Sequence, residues 1–281
     1  MSLKQSQQSK KRKILRLTRL TIWICVIVVL IHVIHALTLD RMIQYVEVDF
    51  QTPAVPVEMN GYRIAFITDT HELEEDDATL WEIVEVLNDQ EIDLLLFGGD
   101  FSARPGAPNT LGILSHIETV DGAFGVRGNH DVFWDLSASM EAYEIKLLSN
   151  EGLHIRDNFF LAGVEVFHPN IVLATGYANS DDFILLLSHQ PDVSMRQDTH
   201  DVDLILSGHI HGGQITFFGI WAPYLTLTNH ITAYGQRFRS GWATSRDGTP
   251  VFVSNGVGDY LPRIFARPQI IIMTLYNEEV D

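Results

Sequence analysis

Five short apolar runs in this chain each stop at a residue able to bind a metal ion or carry a proton. Ile64 to Thr68 runs into Asp69-Thr70-His71, and Leu94 to Phe97 runs into Gly98-Gly99-Asp100. Phe124-Gly125-Val126 leads into Arg127-Gly128-Asn129-His130-Asp131. Phe183 to Leu187 ends in Ser188-His189, and Leu204 to Leu206 ends in Ser207-Gly208-His209-Ile210-His211. Unbroken apolar runs of this length, bounded by glycine and polar residues, suit strands buried on both faces of a sheet. Between the first two, Leu80, Ile83, Val84 and Leu87 fall at helical spacing over Asp77 to Leu87. A strand, a helix and a strand in that order predict a parallel sheet. Ligands of open α/β sheets sit beyond the carboxyl ends of the strands, so these ends should converge on one crevice.

That crevice would hold two carboxylates, an amide and several imidazoles, with no thiolate: the only cysteine, Cys25, lies far upstream. Such donors suit borderline divalent ions such as Mn, Fe, Zn or Co. Seven donors are too many for one four-coordinate ion; they match two ions about 3.5–4 Å apart that share a carboxylate.

In their order and spacing these motifs (D-x-H, G-D, G-N-H-[DE], a lone H and G-H-x-H) resemble the calcineurin-like metallophosphoesterase superfamily. Leu187-Ser188-His189-Gln190-Pro191-Asp192 and His211-Gly212-Gly213-Gln214 are similar to its membrane-anchored bacterial branch, typified by the YkuE and YaeI phosphoesterases. The resemblance implies a four-layer α/β sandwich, with two central mixed sheets flanked by helices. It implies that Asp69, His71 and His211 hold one divalent ion (Mn, Zn or Fe), that Asn129, His189 and His209 hold the other, and that Asp100 bridges them. A hydroxide shared by the two ions would attack phosphorus, with Asn129 and His130 as catalytic residues and His130 protonating the leaving group. The expected reaction is hydrolysis of a phosphomonoester, phosphodiester or pyrophosphate bond. Many relatives carry a further acid in a G-D-x-x-D pattern, where this chain has Ala103. That departure sustains a rival reading, a catalytically weak metal-binding surface receptor or scaffold.

Of the remaining candidates, Asp131 either orients a neighbouring loop or ends its strand. His116, His154, His168, His200 and His230 read as packed or solvent-facing residues. The acidic run Glu72 to Asp77 reads as a solvated entry to the following helix, whose N-terminus favours negative charge, or else as a negative rim that rejects highly charged substrates or accepts an extra cation.

The formal net charge is −17 over 281 residues, but it is unevenly spread. Seven basic and no acidic residues precede residue 20, leaving 12 basic against 36 acidic residues, a net −24, for the rest. A nucleic-acid channel is disfavoured by that balance. After the basic segment, Leu20 to Leu37 is 18 largely apolar residues, long enough to span a bilayer and longer than the core of a signal peptide. The expected organisation is a basic cytoplasmic tail (1–19), a transmembrane anchor (20–37), a connector (38–60) and a catalytic domain (61–281). Basic residues ahead of the span place the N-terminus in the cytoplasm and the catalytic domain outside the cell membrane. A lipid- or envelope-linked phosphoester is then the expected substrate class. His32 and His35, near the outer end of the span, read as residues reaching interfacial water.

The rest follows strand and turn patterns. Tyr45 to Phe50 alternates like an edge strand, and Leu153 to Val166 and Trp242 to Ser254 read as hairpins turning at Asp157-Asn158 and Asp247-Gly248. Ile270 to Tyr276 is expected to close a sheet.

Overall fold

The computed structural model describes residues 3–71, 77–102, 109–133, 135–258 and 262–278. Two six-stranded sheets lie face to face. In chain order the first contains β1 (Gln44–Thr52), β2 (Tyr62–Ile67), β3 (Leu94–Phe97), β4 (Ala123–Gly125), β5 (Ile145–Leu147) and the last strand, β12 (Gln269–Asn277). The second contains β6 (Glu151–Arg156), β7 (Phe159–Gly163), β8 (Phe183–Leu187), β9 (Leu204–Ser207), β10 (Gly241–Thr244) and β11 (Pro250–Val253). Their spatial orders are β1-β12-β2-β3-β4-β5 and β10-β11-β9-β8-β7-β6. Both sheets are mixed: β12 runs antiparallel to β2, and β6 and β10 are antiparallel to their neighbours, while the inner strands are parallel.

Strand alternation makes the layers. Ile64, Phe66, Leu94 and Leu96 of the first sheet meet Leu161, Phe183, Leu185 and Leu206 of the second in a central core. The intervening residues Ala65, Ile67, Leu95 and Phe97 point the other way, onto α2 (Asp77–Asn88), α3 (Asn109–Leu114) and α4 (Leu136–Ala142). Similarly Phe160, Ile184, Leu186 and Ile205 meet α5 (Ile171–Ala174), α6 (Val193–Arg196) and α7 (Pro223–Leu227). Each inner strand is covered on both sides, which is why its sequence is apolar without a break. The four-layer sandwich of two mixed sheets flanked by helices is therefore the architecture. Both hairpins form, and α2 buries the four apolar positions noted above.

The stretch 44–52, inside the segment expected to be a connector, pairs along its whole length with β12 as the edge of the first sheet. Upstream, α1 (Leu3–Leu37) is a single helix of 35 residues, and most of its large apolar side chains from Ile14 to Leu37 are exposed. Among the described residues it is the one helix long and apolar enough to cross a membrane. Ala103, the loop from Arg104 to Pro108 and the acidic residues 72–76 lie outside the described residues.

Candidate active site

Parallel pairing puts the carboxyl ends of β2, β3 and β4 on one side of the first sheet, and those of β8 and β9 together on the second. The donor-bearing loops follow directly. Asp69, His71, Asp100 and His189 are buried, with His209 and His211 partly so. Five of these residues sit at positive φ: Asp69 (54°), His71 (36°), Asp100 (58°), His209 (71°) and His211 (51°). Each such residue costs roughly 1–3 kcal/mol, and strain of this kind collects at functional sites. Here the bends follow the ends of β2, β3 and β9, where the chain leaves the sheet and carries these donors into the crevice.

Two groups of donors result, Asp69 with His71 and His211, and Asp100 with His189 and His209. In the first, His71 Nε2 lies 3.2 Å from His211 Nε2, and Asp69 Oδ1 lies 3.9 and 3.5 Å from those two atoms. In the second, His189 Nε2 is 3.0 Å from Asn129 Oδ1, 3.1 Å from His209 Nδ1 and 3.3 Å from Asp100 Oδ2. The same Asp100 Oδ2 is 3.7 Å from His71 Nε2, so one carboxylate oxygen faces both groups. All seven residues singled out as donors are thus brought together. His130 stands beside them, half-buried, its ring edge-on to His71 at 5.2 Å and its backbone N–H donating to Asp100 Oδ1 at 2.7 Å.

The chemistry of the second group suits a cation. His189 Nδ1 donates to the carbonyl of Gly98 (2.8 Å), and His209 Nε2 donates to that of Ile231 (3.2 Å). A carbonyl only accepts, so each ring in its neutral form has its lone pair on the inward nitrogen, near two further acceptor oxygens. Such outer hydrogen bonds are what orient metal-binding imidazoles. The first group differs. The Arg263 Nη2 lies 3.3 Å from His211 Nδ1, and a guanidinium only donates. Neutral His211 then keeps its own proton on Nε2, facing His71.

Charge in the crevice is shared out by the same contacts. Burial alone would raise Asp100, but His189, His71 and the N–H of His130 hold it well below the usual carboxylate range. Asp69 is pushed up to about 6, by burial and then by Asp100, against the pull of His189 and of two hydrogen bonds. His189 is raised to about 10: burial opposes its protonation, but Asp100 and Asp69 outweigh that. Burial lowers His71 to about 4 and His209 to about 3, and it lowers His211 together with Arg263. Without a cation, the site takes a proton on His189 instead.

Glycines are needed where loops touch. A Cβ on Gly128 would stand 2.1 Å from Asp100 Oδ1, and one on Gly208 would stand 2.3 Å from Asp69 Oδ2. Asp131 orients a neighbouring loop, the first of its two readings. Its carboxylate, raised to about 6 by burial and by Asp100, accepts from the backbone N–H groups of Asp100, Phe101 and Gly128.

Arg263 carried no signal in the sequence. It is 2% exposed and donates to the carbonyls of Asn255, Gly256, Gly258 and Ala266. The Val257 and Gly258 N–H groups in turn donate to the carbonyls of Thr68 and Asp69, so this arginine braces a loop against the D-x-H motif. The other histidines lie elsewhere: His116 bonds within its own helix end and His154 pairs with Asp182. His200 is exposed beside Asp198.

A family model described as Calcineurin-like phosphoesterase matches residues 62–213, which carry every one of these donors. An uncharacterized metallophosphoesterase of Helicobacter pylori is 28% identical over 203 residues, covering 67% of this chain and 52% of that protein. The chain therefore spans about half the length of that relative. The uncharacterized metallophosphoesterase YkuE of Bacillus subtilis is 26% identical over 259 residues, covering 83% of this chain and 86% of its own. A transmembrane protein with metallophosphoesterase domain from Bos taurus is 28% identical over 258 residues, covering 81% of this chain and 56% of its own. With more than half of the chain matched by the family model and the donors gathered where the strands end, this protein belongs to the calcineurin-like phosphoesterase family.

Proposed function

We propose that this protein is a membrane-anchored, dinuclear-metal phosphoesterase that hydrolyses a lipid- or envelope-linked phosphomonoester, phosphodiester or pyrophosphate. The observation that supports it most is the single Asp100 oxygen within 3.3 Å of His189 and 3.7 Å of His71, a bridging position between two donor groups. Asp69, His71 and His211 hold one ion; Asn129, His189 and His209 hold the other. When bound, two divalent ions (Mn, Zn or Fe) supply an activated water and offset the charge of the phosphate oxygens. Asp100 holds the two groups in register, and Asn129 leads His130 to the edge of the crevice. His130 protonates the departing oxygen, a contribution of about 10²–10⁴-fold.

The anchor is α1, with residues 1–19 as a cytoplasmic tail, 20–37 as the span and the catalytic domain outside the membrane. The exposed apolar surface of α1 and the basic residues before it support this arrangement. The full chain, loaded with Mn²⁺ and of measured metal content, should hydrolyse aryl phosphomonoesters or phosphodiesters. His130→Ala should keep both ions and lose about 10²–10⁴-fold in rate. A fully metallated protein that is inert across monoesters, diesters and pyrophosphates would instead be a metal-binding surface protein.

A further inference from the structure

The loop that leaves the G-H-x-H motif exposes six large apolar side chains within 13 residues: Ile215, Phe217, Ile220, Trp221, Tyr224 and Leu227. Ile220 and Leu227 are 78% and 77% exposed, and six such side chains so close together differ from the scattered single apolar residues of an ordinary surface. The loop does not stand apart from α1. His32 packs against Phe218 (centroids 4.5 Å apart), Phe217 (5.4 Å) and Phe265 (4.9 Å). His35 stacks on Phe265 at 3.8 Å and its Nδ1 is 2.7 Å from Asp40, whose carboxylate accepts from the N–H groups of Phe265 and Ala266. The two histidines expected to reach interfacial water thus dock the end of α1 onto the loop.

Charge points the same way. No acidic residue occurs from 204 to 246, in a chain whose 36 acids are otherwise spread from Asp40 onward, while Arg237 and Arg239 do occur. An acid-free, arginine-bearing stretch with aromatic and aliphatic side chains at its tip suits the boundary between headgroups and acyl chains.

We infer that the 215–227 segment is a membrane-docking surface, which seats the catalytic domain on the bilayer beside the end of α1. The inference rests on the anchor reading above. It adds that the crevice lies close to the headgroup layer: Gln214 alone separates Gly213, at the end of the metal loop, from Ile215. Arg263, which touches His211, is two residues from Phe265, which touches α1. A phosphoester carried by a lipid would then be presented to the site without leaving the membrane.

The test uses the full chain in nanodiscs of phosphatidylcholine and phosphatidylglycerol, with single cysteines carrying an environment-sensitive fluorophore. Cys25 is the native probe of α1; in a Cys25→Ser background, I220C and L227C probe the patch and V120C, exposed in a loop between β3 and β4, is the control. Nitroxide lipids with a shallow label should quench positions 220 and 227 severalfold more than position 120. Quenching at Cys25 with none at 220 and 227 overturns the docking surface and leaves the anchor standing. No quenching at Cys25 overturns the anchor, and the inference with it. Disulfide cross-linking between I220C chains without lipid quenching would assign the patch to a second copy and equally overturn the proposal.

Discussion

The carboxylate of Asp131 holds the backbone of Asp100: its Oδ2 accepts from the Asp100 N–H at 2.8 Å, and its Oδ1 from the next N–H, that of Phe101, at 2.9 Å. The Gly128 N–H, from the loop carrying Asn129, shares the same Oδ2 at 2.8 Å. One buried side chain therefore registers Asp100 against the loop that carries Asn129.

Asp131→Ala would strand three buried N–H groups. Each unmade bond of this kind costs about 1–3 kcal/mol, so destabilisation on the order of 3 kcal/mol is expected. Chemical denaturation should show the loss, and metal titration should show both ions bound more weakly. A variant of unchanged stability and metal content would refute this role.

The two ions should bind with unequal affinity. Backbone carbonyls hold the outer protons of His189 and His209, so losing any inward proton leaves a lone pair facing the crevice, whereas Arg263 leaves the proton of His211 on the nitrogen that faces the crevice. Titration with Mn²⁺ should give two steps by calorimetry. His209→Ala should abolish the tighter step and His211→Ala only the weaker one; a single step with two equivalent ions contradicts the tautomer argument.

Metal uptake should release protons. His189, raised to about 10, is protonated at neutral pH when no cation is present, and a cation needs the same Nε2. Affinity should therefore climb up to about tenfold per pH unit between pH 7 and 9, with about one proton released. Calorimetry in two buffers of different ionisation enthalpy measures that proton.

The same shift affects stability. A histidine with a raised folded pKa stabilises fully below its unfolded value of about 6.5, and that contribution disappears as the pH passes the folded value. The metal-free protein should thus lose stability as the pH climbs from about 6.5 through about 10. Thermal unfolding with and without Mn²⁺ across that range checks the sign; a metal-free protein that grows more stable on the alkaline side would contradict it.

Gly128→Ala and Gly208→Ala should each cost metal binding although neither glycine is a donor. The added methyl would meet Asp100 Oδ1 at 2.1 Å in the first and Asp69 Oδ2 at 2.3 Å in the second. Elemental analysis of the folded variants should find less than two ions per chain, and two full equivalents in either would show that the loops can give way.

What the chain's residues determined by themselves was local: which runs are buried on both faces, and which side chain follows each run. Apolar composition and the glycine or polar residue that ends each run are properties of neighbouring residues, so β2, β3, β4, β8 and β9, and the side chains that follow them, could be read directly. Tyr45 to Phe50 could be read as an edge strand, but its pairing with β12 could not be, because that partner lies more than 200 residues away. Arg263 is the clearest case of what tertiary structure alone decided. A lone arginine in an irregular loop has no periodicity or motif, and only its burial against four carbonyls and His211 gives it a role. The same holds for His32 and His35, whose ring partners, Phe217, Phe218 and Phe265, come from loops nearly 200 residues downstream. Spacing along a chain encodes what a residue is next to in sequence; which distant loops close over it is decided by packing.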